Sequence, residues 1–228
     1  MSFFSRIIRK LRKKQVRKAV TSGSLTSRFQ TIYQERFWSG ASASGPGSSL
    51  EQTTKIRARL PGLLQDLGVK ILLDAPCGDF FWMKHVDLGA ANYIGGDIVP
   101  EIIEDNQQKY GSPNRRFEVV DLVASPLPDA DLLLCRDVLV HLSYEDINKA
   151  LKNLCDSNIK WLLTTHFPEH QNEDNPSGLW RPINLRDEPF SLPVPTELID
   201  DTPNEESFSH PDKTLGLWAV SDLREFIS

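Results

Sequence analysis

Three aspartates stand at similar places in three successive apolar runs. Ile71 to Leu73 leads into Asp74, Ala91 to Gly96 into Asp97, and Arg116 to Val120 into Asp121. One acid at the end of a strand-like run is ordinary turn chemistry. Three along the edge of one sheet make a row of negative charge. Asp97 follows Asp74 by 23 residues, an offset at which a second-strand acid can accept hydrogen bonds from a ribose diol. The turn after Asp74 reads Ala75, Pro76, Cys77, Gly78, Asp79, with two acids and no Lys or Arg. That pair repels a phosphate and suits a cation carrying hydroxyl and amino groups. Nucleotide dehydrogenases use the same ribose device, so the offset alone does not choose the ligand.

Proton transfer has its own candidates. Arg136, Asp137 and His141 follow a fourth apolar run, and His166 and His170 follow a fifth. Asp137, His141, His166 or His170 could remove a proton from an acceptor as a general base. Each also has a plainer role: His141 as a supporting hydrogen-bond partner, and Arg136 with Asp137 as an ion pair shaping a pocket. The spacing of His166 and His170 would suit a metal on a helix, but Pro168 lies between them, so no metal is expected.

The elements that must position these groups can be read from periodicity. The run before Asp74 has the length and composition of a strand buried on both faces. A helix over about Leu50 to Leu67 spaces Ile56, Leu60, Leu63 and Leu64 on one side, with a break or kink expected at Pro61. Phe29 to Trp38 and Phe81 to Val86 read as short helices. Pro100 suits the first position of a helix that stops at Gly111. Ser143 with Asp146 has the form of a capping box before the stripe Ile147, Ala150, Leu151, Leu154. Ile159 to Thr165 is a fifth strand, and Trp82, Trp161 and Trp218 are expected in the core. Such alternation indicates parallel βαβ units. Residues 166–195 are too long and polar for an ordinary connection and read as a functional loop that, with Trp180, Arg181 and Asn184, contacts an acceptor. Thr196 to Ile199 and Thr214 to Val220 read as a closing antiparallel pair.

The 228 residues suffice for one such domain with extensions. Division falls at residue 49, with a basic helix and a Gly/Ser-rich lid loop over 1–49 and the α/β domain over 50–228. Residues 1–20 hold eight Lys/Arg and no acid, leaving 18 basic against 31 acidic side chains elsewhere. So acidic a body argues against nucleic acid as a partner. The leader spaces Phe4, Ile7, Ile8, Leu11 and Val20 near helical period and reads either as a solvated extension or as a helix in peripheral contact with an anionic membrane. No apolar run reaches the roughly 20 residues of a membrane span. Three cysteines without a CxxC pair suit a reducing, cytoplasmic setting, at most peripheral at the inner membrane face.

With these motifs in order, the chain resembles the class I S-adenosylmethionine (SAM)-dependent methyltransferases, small-molecule type, of a bacterial branch, over about residues 50–220. Residues 72–80, Leu-Leu-Asp-Ala-Pro-Cys-Gly-Asp-Phe, look like the family's first motif, Asp/Glu-x-Gly-x-Gly-x-Gly, with Asp74 as its acid and Gly78 as its middle glycine. Pro76 and Phe80 depart from the outer glycines. Gly95-Gly-Asp97-Ile98 resembles the second motif, Val120-Asp121-Leu122 the third, and residues 131–142 the fourth. The resemblance implies a Rossmann-like, doubly wound, seven-stranded, mostly parallel sheet with an antiparallel last strand in three α/β/α layers. It implies SAM as methyl donor, held by Asp74, Ala75, Pro76, Cys77, Gly78, Asp79, Asp97, Ile98, Asp121, Leu122 and Arg136. Methyl transfer to a small-molecule acceptor, on oxygen and to a sugar or lipid-linked compound, is the expected reaction. An NAD(P)-dependent oxidoreductase or a non-catalytic SAM-binding scaffold are the alternatives. Residues 1–20 fused to a fluorescent protein are expected to sediment with anionic vesicles; no binding would end the membrane reading.

Overall fold

The computed structural model describes residues 18–38, 40–202 and 210–227. The basic leader, up to residue 17, lies outside them. Leu72 and Leu73 are both fully buried, yet they belong to two different core clusters. The same alternation parts Leu132 and Leu134 from Leu133 and Cys135. Strands covered on both faces carry unbroken apolar runs because successive side chains point to opposite sides.

Seven strands result: β1 (Ile71–Asp74), β2 (Asn92–Asp97), β3 (Arg115–Val119), β4 (Leu132–Cys135), β5 (Trp161–His166), β6 (Glu197–Asp200) and β7 (Thr214–Ala219). They form one sheet in the order β3-β2-β1-β4-β5-β7-β6. The first five run parallel, with Leu73 in register with Ile94 and Leu133. β7 inserts antiparallel between β5 and β6, as the closing pair of strands foretells. Helices α1 (Leu25–Gln34), α2 (Thr54–Asp66), α3 (Pro100–Tyr110), α4 (Tyr144–Cys155) and α5 (Val220–Leu223) complete the fold. On the Leu72 side α2 buries Ile56, Leu60, Leu63 and Leu64; on the Leu73 side α4 buries Ile147, Leu151 and Leu154.

Several boundaries differ from those the sequence suggests. α1 starts at Leu25 because the Ser24 hydroxyl accepts the Ser27 N–H, and it ends before Arg36, whose φ is 44°. α2 runs through Pro61 without a break, held by the packing of its buried face. The helix expected over Phe81 to Val86 is a single 3₁₀ turn, Met83–His85. Gly78 and Phe80, at φ 51° and 56°, turn the chain there, and Phe80 and Met83 enter the core at 1% exposure. β3 stops at Val119, so Asp121 lies two residues beyond it. Trp82 and Trp218 are core residues, whereas Trp161 is half-buried.

Residues 167–196 have no helix or strand, yet much of the segment is interior. Ile183, Leu185, Phe190 and Leu192 join the core cluster beside α4. Arg181 is buried and donates to the carbonyls of Leu139, Val140, Leu142 and Glu173. Ser143 caps α4 by accepting the Asp146 N–H at 3.3 Å. The return arm of the box passes through this segment: Ser143 N–H donates to the Ser177 hydroxyl, which donates to the Asp146 carboxylate. Gly178, at φ 106°, lies so close to Val20 that an added Cβ would sit 2.0 Å from the Val20 carbonyl.

Arg181→Ala strands several carbonyls away from water and is expected to cost roughly 2–4 kcal/mol, read as a lower urea midpoint. Arg181→Lys should recover only part of that, since an ammonium lacks the planar fork. An unchanged midpoint in Arg181→Ala would show that the segment is not part of the folded core.

Candidate functional site

The carboxyl ends of β1, β2 and β4 open on one cavity of ≈ 490 Å³. It lies where the strand order reverses between β1 and β4, the place at which open α/β sheets take ligands. Asp74, Asp97 and Asp121 all line it. Asp74 is 2% exposed and accepts the Tyr93 hydroxyl at 2.6 Å. Burial pushes its carboxyl up to about 7 against the opposing pull of that hydrogen bond. Asp97 accepts the N–H groups of Gly78 at 3.2 Å and Val99 at 3.0 Å. Burial pushes it up to about 6 even so. Asp121 is half-buried and accepts the Val123 N–H at 2.8 Å.

The first-motif turn contributes Ala75, Pro76, Cys77 and Gly78 to the wall, and Ile98 and Leu122 stand beside their acids. The Cys77 thiol is pushed well above its ordinary value by burial and by Asp97 and Asp74, so it stays neutral. Gly78 has φ 51°, and a Cβ there would meet Ser44 Oγ at 1.9 Å. The missing side chain lets residues 40–49 lie directly over the turn.

Those residues form a lid. Ala43, Ser44, Pro46, Gly47 and Ser48 are in the cavity wall. Asp79 is not in the wall; its carboxylate accepts the Ser42 hydroxyl and the Ala43 N–H, both at 2.7 Å. Asp79 therefore fastens the lid, as a short acidic side chain readily does to nearby N–H and O–H groups. At the other end the Gly47 carbonyl accepts Arg136 Nη1 at 2.8 Å. Trp38 packs on His141, with ring centroids 4.6 Å apart.

Beyond β4 lies a buried cluster of four charges. Arg136 and Lys213 both reach Asp201, at 2.9 and 3.0 Å, and both reach Asp137, at 3.1 and 2.9 Å. Asp137 has φ 57°, and its N–H donates to the Thr165 hydroxyl. Burial pushes the Asp137 carboxyl up, but Arg136 and Lys213 outweigh it and hold the group well below the usual carboxylate range. Lys213 and Asp201 escape a reading of the sequence. Their only signal is position, since each adjoins a closing strand end that the antiparallel pair brings back to the cavity.

The histidines separate. His141 lines the cavity, burial drives its pKa to about 4, and its Nδ1 is buried with no hydrogen-bond partner among the described residues. His166 lies outside the wall, fully buried. Its Nδ1 accepts the Leu185 N–H at 3.2 Å and its ring stands edge-on to Trp218. Burial and Arg186 hold its pKa at about 4, so it is a neutral core imidazole. Of the loop residues, Trp180 faces the cavity, as does His210, which the sequence does not single out; Asn184 serves the loop's own backbone, and Arg181 ties the loop to the carbonyls of Leu139, Val140 and Leu142. Among the described residues no group of three or more His, Cys, Asp and Glu side chains could hold a metal ion.

A doubly wound sheet thus sets three acids, at or just beyond adjoining strand ends, around one cavity. Residues 73–156 match the family model described as "Methyltransferase domain". Over that span the chain matches a methyltransferase model, and its sheet has the fold of SAM-dependent methyltransferases. No curated protein matches it in sequence. In fold it is similar to magnesium protoporphyrin IX methyltransferase from Synechocystis, solved with bound SAM, at TM-score 0.55 and 12% identity over 86% of this chain and 97% of that one. It is also similar to the N-methyltransferase NodS from Bradyrhizobium japonicum, at TM-score 0.53 and 14% identity over 74% and 96% of the two chains. Against human N-acetylserotonin methyltransferase in complex with SAM, the TM-score is 0.41 and the identity 16% over 68% of this chain, which spans about half (47%) of that one. The residues lining the cavity fit a cationic ligand that carries hydroxyl groups. The rim carries acids for a cationic ligand, and each Asp97 oxygen keeps lone-pair capacity beyond its one backbone bond.

The raised carboxyls have a consequence for stability. A group whose folded pKa lies above its unfolded value stabilises the fold below the unfolded pKa, and that contribution is lost as pH rises through the folded pKa. Asp74, moved from 3.8 to about 7, therefore works increasingly against the ligand-free fold from about pH 4 to about pH 7 and at full strength above that. Asp74→Asn is expected to raise ligand-free stability at pH 8 by on the order of 2–4 kcal/mol, a gain that shrinks toward pH 4. Thermal unfolding across that range checks it, and a gain independent of pH would contradict it.

Proposed function

We propose that this chain transfers the methyl group of SAM to the oxygen of a small-molecule acceptor, a hydroxylated sugar-like or lipid-linked compound. The observation that carries the reading is the row Asp74, Asp97 and Asp121 around one cavity of ≈ 490 Å³ beneath a closed lid. A pocket of that size, largely apolar with a few convergent polar groups, is what a small ligand requires. SAM supplies a methyl group on a sulfonium, which is a good leaving group.

The residues divide the work. Asp97, with Ile98 beside it, holds ribose hydroxyls. Asp121 takes the adenine amino group while Leu122 covers the ring. Asp74 and the turn Ala75–Gly78 receive the amino-acid end, whose positive charge keeps the Asp74 carboxyl ionised at neutral pH. Arg136 holds the lid by its Gly47 bond and fixes Asp137. His141 and Trp38 form a wall of the acceptor end, faced by Trp180. Aromatic faces beside polar groups suit a hydroxylated ring. His166, outside the wall, takes no part. Holding donor and acceptor in a near-attack geometry can supply on the order of 7–11 kcal/mol, so positioning is the lid's contribution.

Titration calorimetry on the full chain should show binding of both SAM and S-adenosylhomocysteine. Asp97→Ala should weaken each at least about tenfold, a loss of ~1.4 kcal/mol. Affinity should fall between pH 8 and pH 5, as Asp74 and Asp97 become protonated. Labelled SAM incubated with soluble and membrane extracts should then place label in small molecules or lipid-linked species. Absence of donor binding would overturn the reading, and label confined to protein or RNA would overturn the acceptor class.

A further inference from the structure

The two buried rim acids are held in different ways. Asp97 accepts the backbone N–H groups of Gly78 and Val99, donors that come with the turns around it. Among the described residues Asp74 has one hydrogen-bond donor, the hydroxyl of Tyr93, 2.6 Å from Oδ2. That is the length of a charge-assisted O–H···O⁻ bond. Tyr93 is 1% exposed and is not in the cavity wall, so it touches the acid and not what the cavity holds.

Reaching Asp74 from residue 93 takes a particular arrangement. In the sheet register Tyr93 stands opposite Leu72, while Asp74 stands opposite Gly95. The phenol therefore has to lie along the strand, across the place where residue 95 would carry a side chain. A Cβ at Gly95 would sit 3.0 Å from Tyr93 Cε1 and 2.4 Å from Phe117 Cδ1. The bare glycine leaves room for the ring. Phe80 and Phe117, with centroids 5.1 and 5.7 Å from that of Tyr93, pack around it.

The other ionisable groups that act on Asp74 do so from a distance. Asp97 opposes its charge and Arg136 favours it. Arg136 itself is engaged by Asp137, Asp201 and the Gly47 carbonyl. The thiols of Cys77 and Cys135 are kept neutral by burial. The Tyr93 hydroxyl is pushed well above its ordinary value by burial and by Asp74, against the pull of Arg115, so it remains a donor.

We propose that Tyr93 is a positioning residue of the donor site, which by its bond to Oδ2 fixes how the Asp74 carboxylate meets the ammonium group of the donor. The inference rests on the donor binding proposed above. A hydrogen bond to the charged form of an acid favours that form. Tyr93 thus works against the burial that raises the Asp74 carboxyl to about 7.

The test compares the full chain with Tyr93→Phe, which keeps the ring and removes the bond. In ligand-free protein labelled with ¹³C-aspartate, with Asp74 assigned by Asp74→Asn, the Asp74 midpoint should move up in Tyr93→Phe by on the order of 1–2 pH units. Calorimetric titration with S-adenosylhomocysteine, which has the donor's amino-acid end, should show Tyr93→Phe weaker by about fivefold or more at pH 7. That gap should close to about twofold or less by pH 9, where both proteins hold Asp74 largely ionised. An unmoved Asp74 midpoint, or a gap of the same size at both pH values, would overturn the proposal. If Tyr93→Phe does not fold, the Cζ signal of Tyr93 in ¹³C-tyrosine-labelled unsubstituted protein decides instead. It should shift through the Asp74 midpoint, and a signal flat across that range would count against the bond. Failure of the unsubstituted protein to bind S-adenosylhomocysteine would count against the donor site itself, and the ligand-free spectra would still decide the role of Tyr93.

Discussion

Two buried cations with one buried and one partly exposed carboxylate hold this end of the molecule together. Arg136, Asp137, Asp201 and Lys213 come from the end of β4, the end of β6 and the start of β7. Asp201 and Arg136 are buried, and each ion alone would carry a desolvation penalty of several kcal/mol. Only the mutual arrangement offsets that penalty, so the ends of three strands have one compatible placement. The same guanidinium holds the Gly47 carbonyl, which ties the lid to the sheet. The ion cluster is thus the joint between the parallel half of the sheet, its antiparallel edge and the cavity roof.

The donor side rests on the opposite kind of balance. Asp74 and Asp97 are buried with hydrogen bonds but without an adjacent cation of their own. They oppose folding at neutral pH, and a cationic ligand would relieve them. Cluster and rim therefore share one principle. Charge is stable inside the protein when its partner is present, and at the rim only a partner from outside could play that part.

What could be read from the sequence follows from range. β1, β2 and β4 announce themselves because burial on two faces demands continuous apolar residues, and their terminal acids stand at fixed chain positions. The capping serine of α4 is equally local. Other features depend on chain separation. Asp79 fastens a loop 36 residues earlier, and sequence cannot tell that use from binding an ammonium. His166 and His141 look alike beside their strands, yet one faces Trp218 in the core and the other faces the cavity. Lys213, Asp201 and His210 become site residues only because the antiparallel edge returns them to the carboxyl ends of the parallel strands. Residues 167–196 read as polar and exposed, but Arg181 supplies donors for backbone carbonyls that would otherwise forbid burial.

Val20 bears on how one wall of the cavity is packed. It is fully buried, with its carbonyl against Gly178, and the Gly178 N–H donates to the His141 carbonyl. The polypeptide thus joins the body beside the wall formed by His141 and Trp38. A larger residue at Gly178 would therefore press on Val20 and on that cavity wall together.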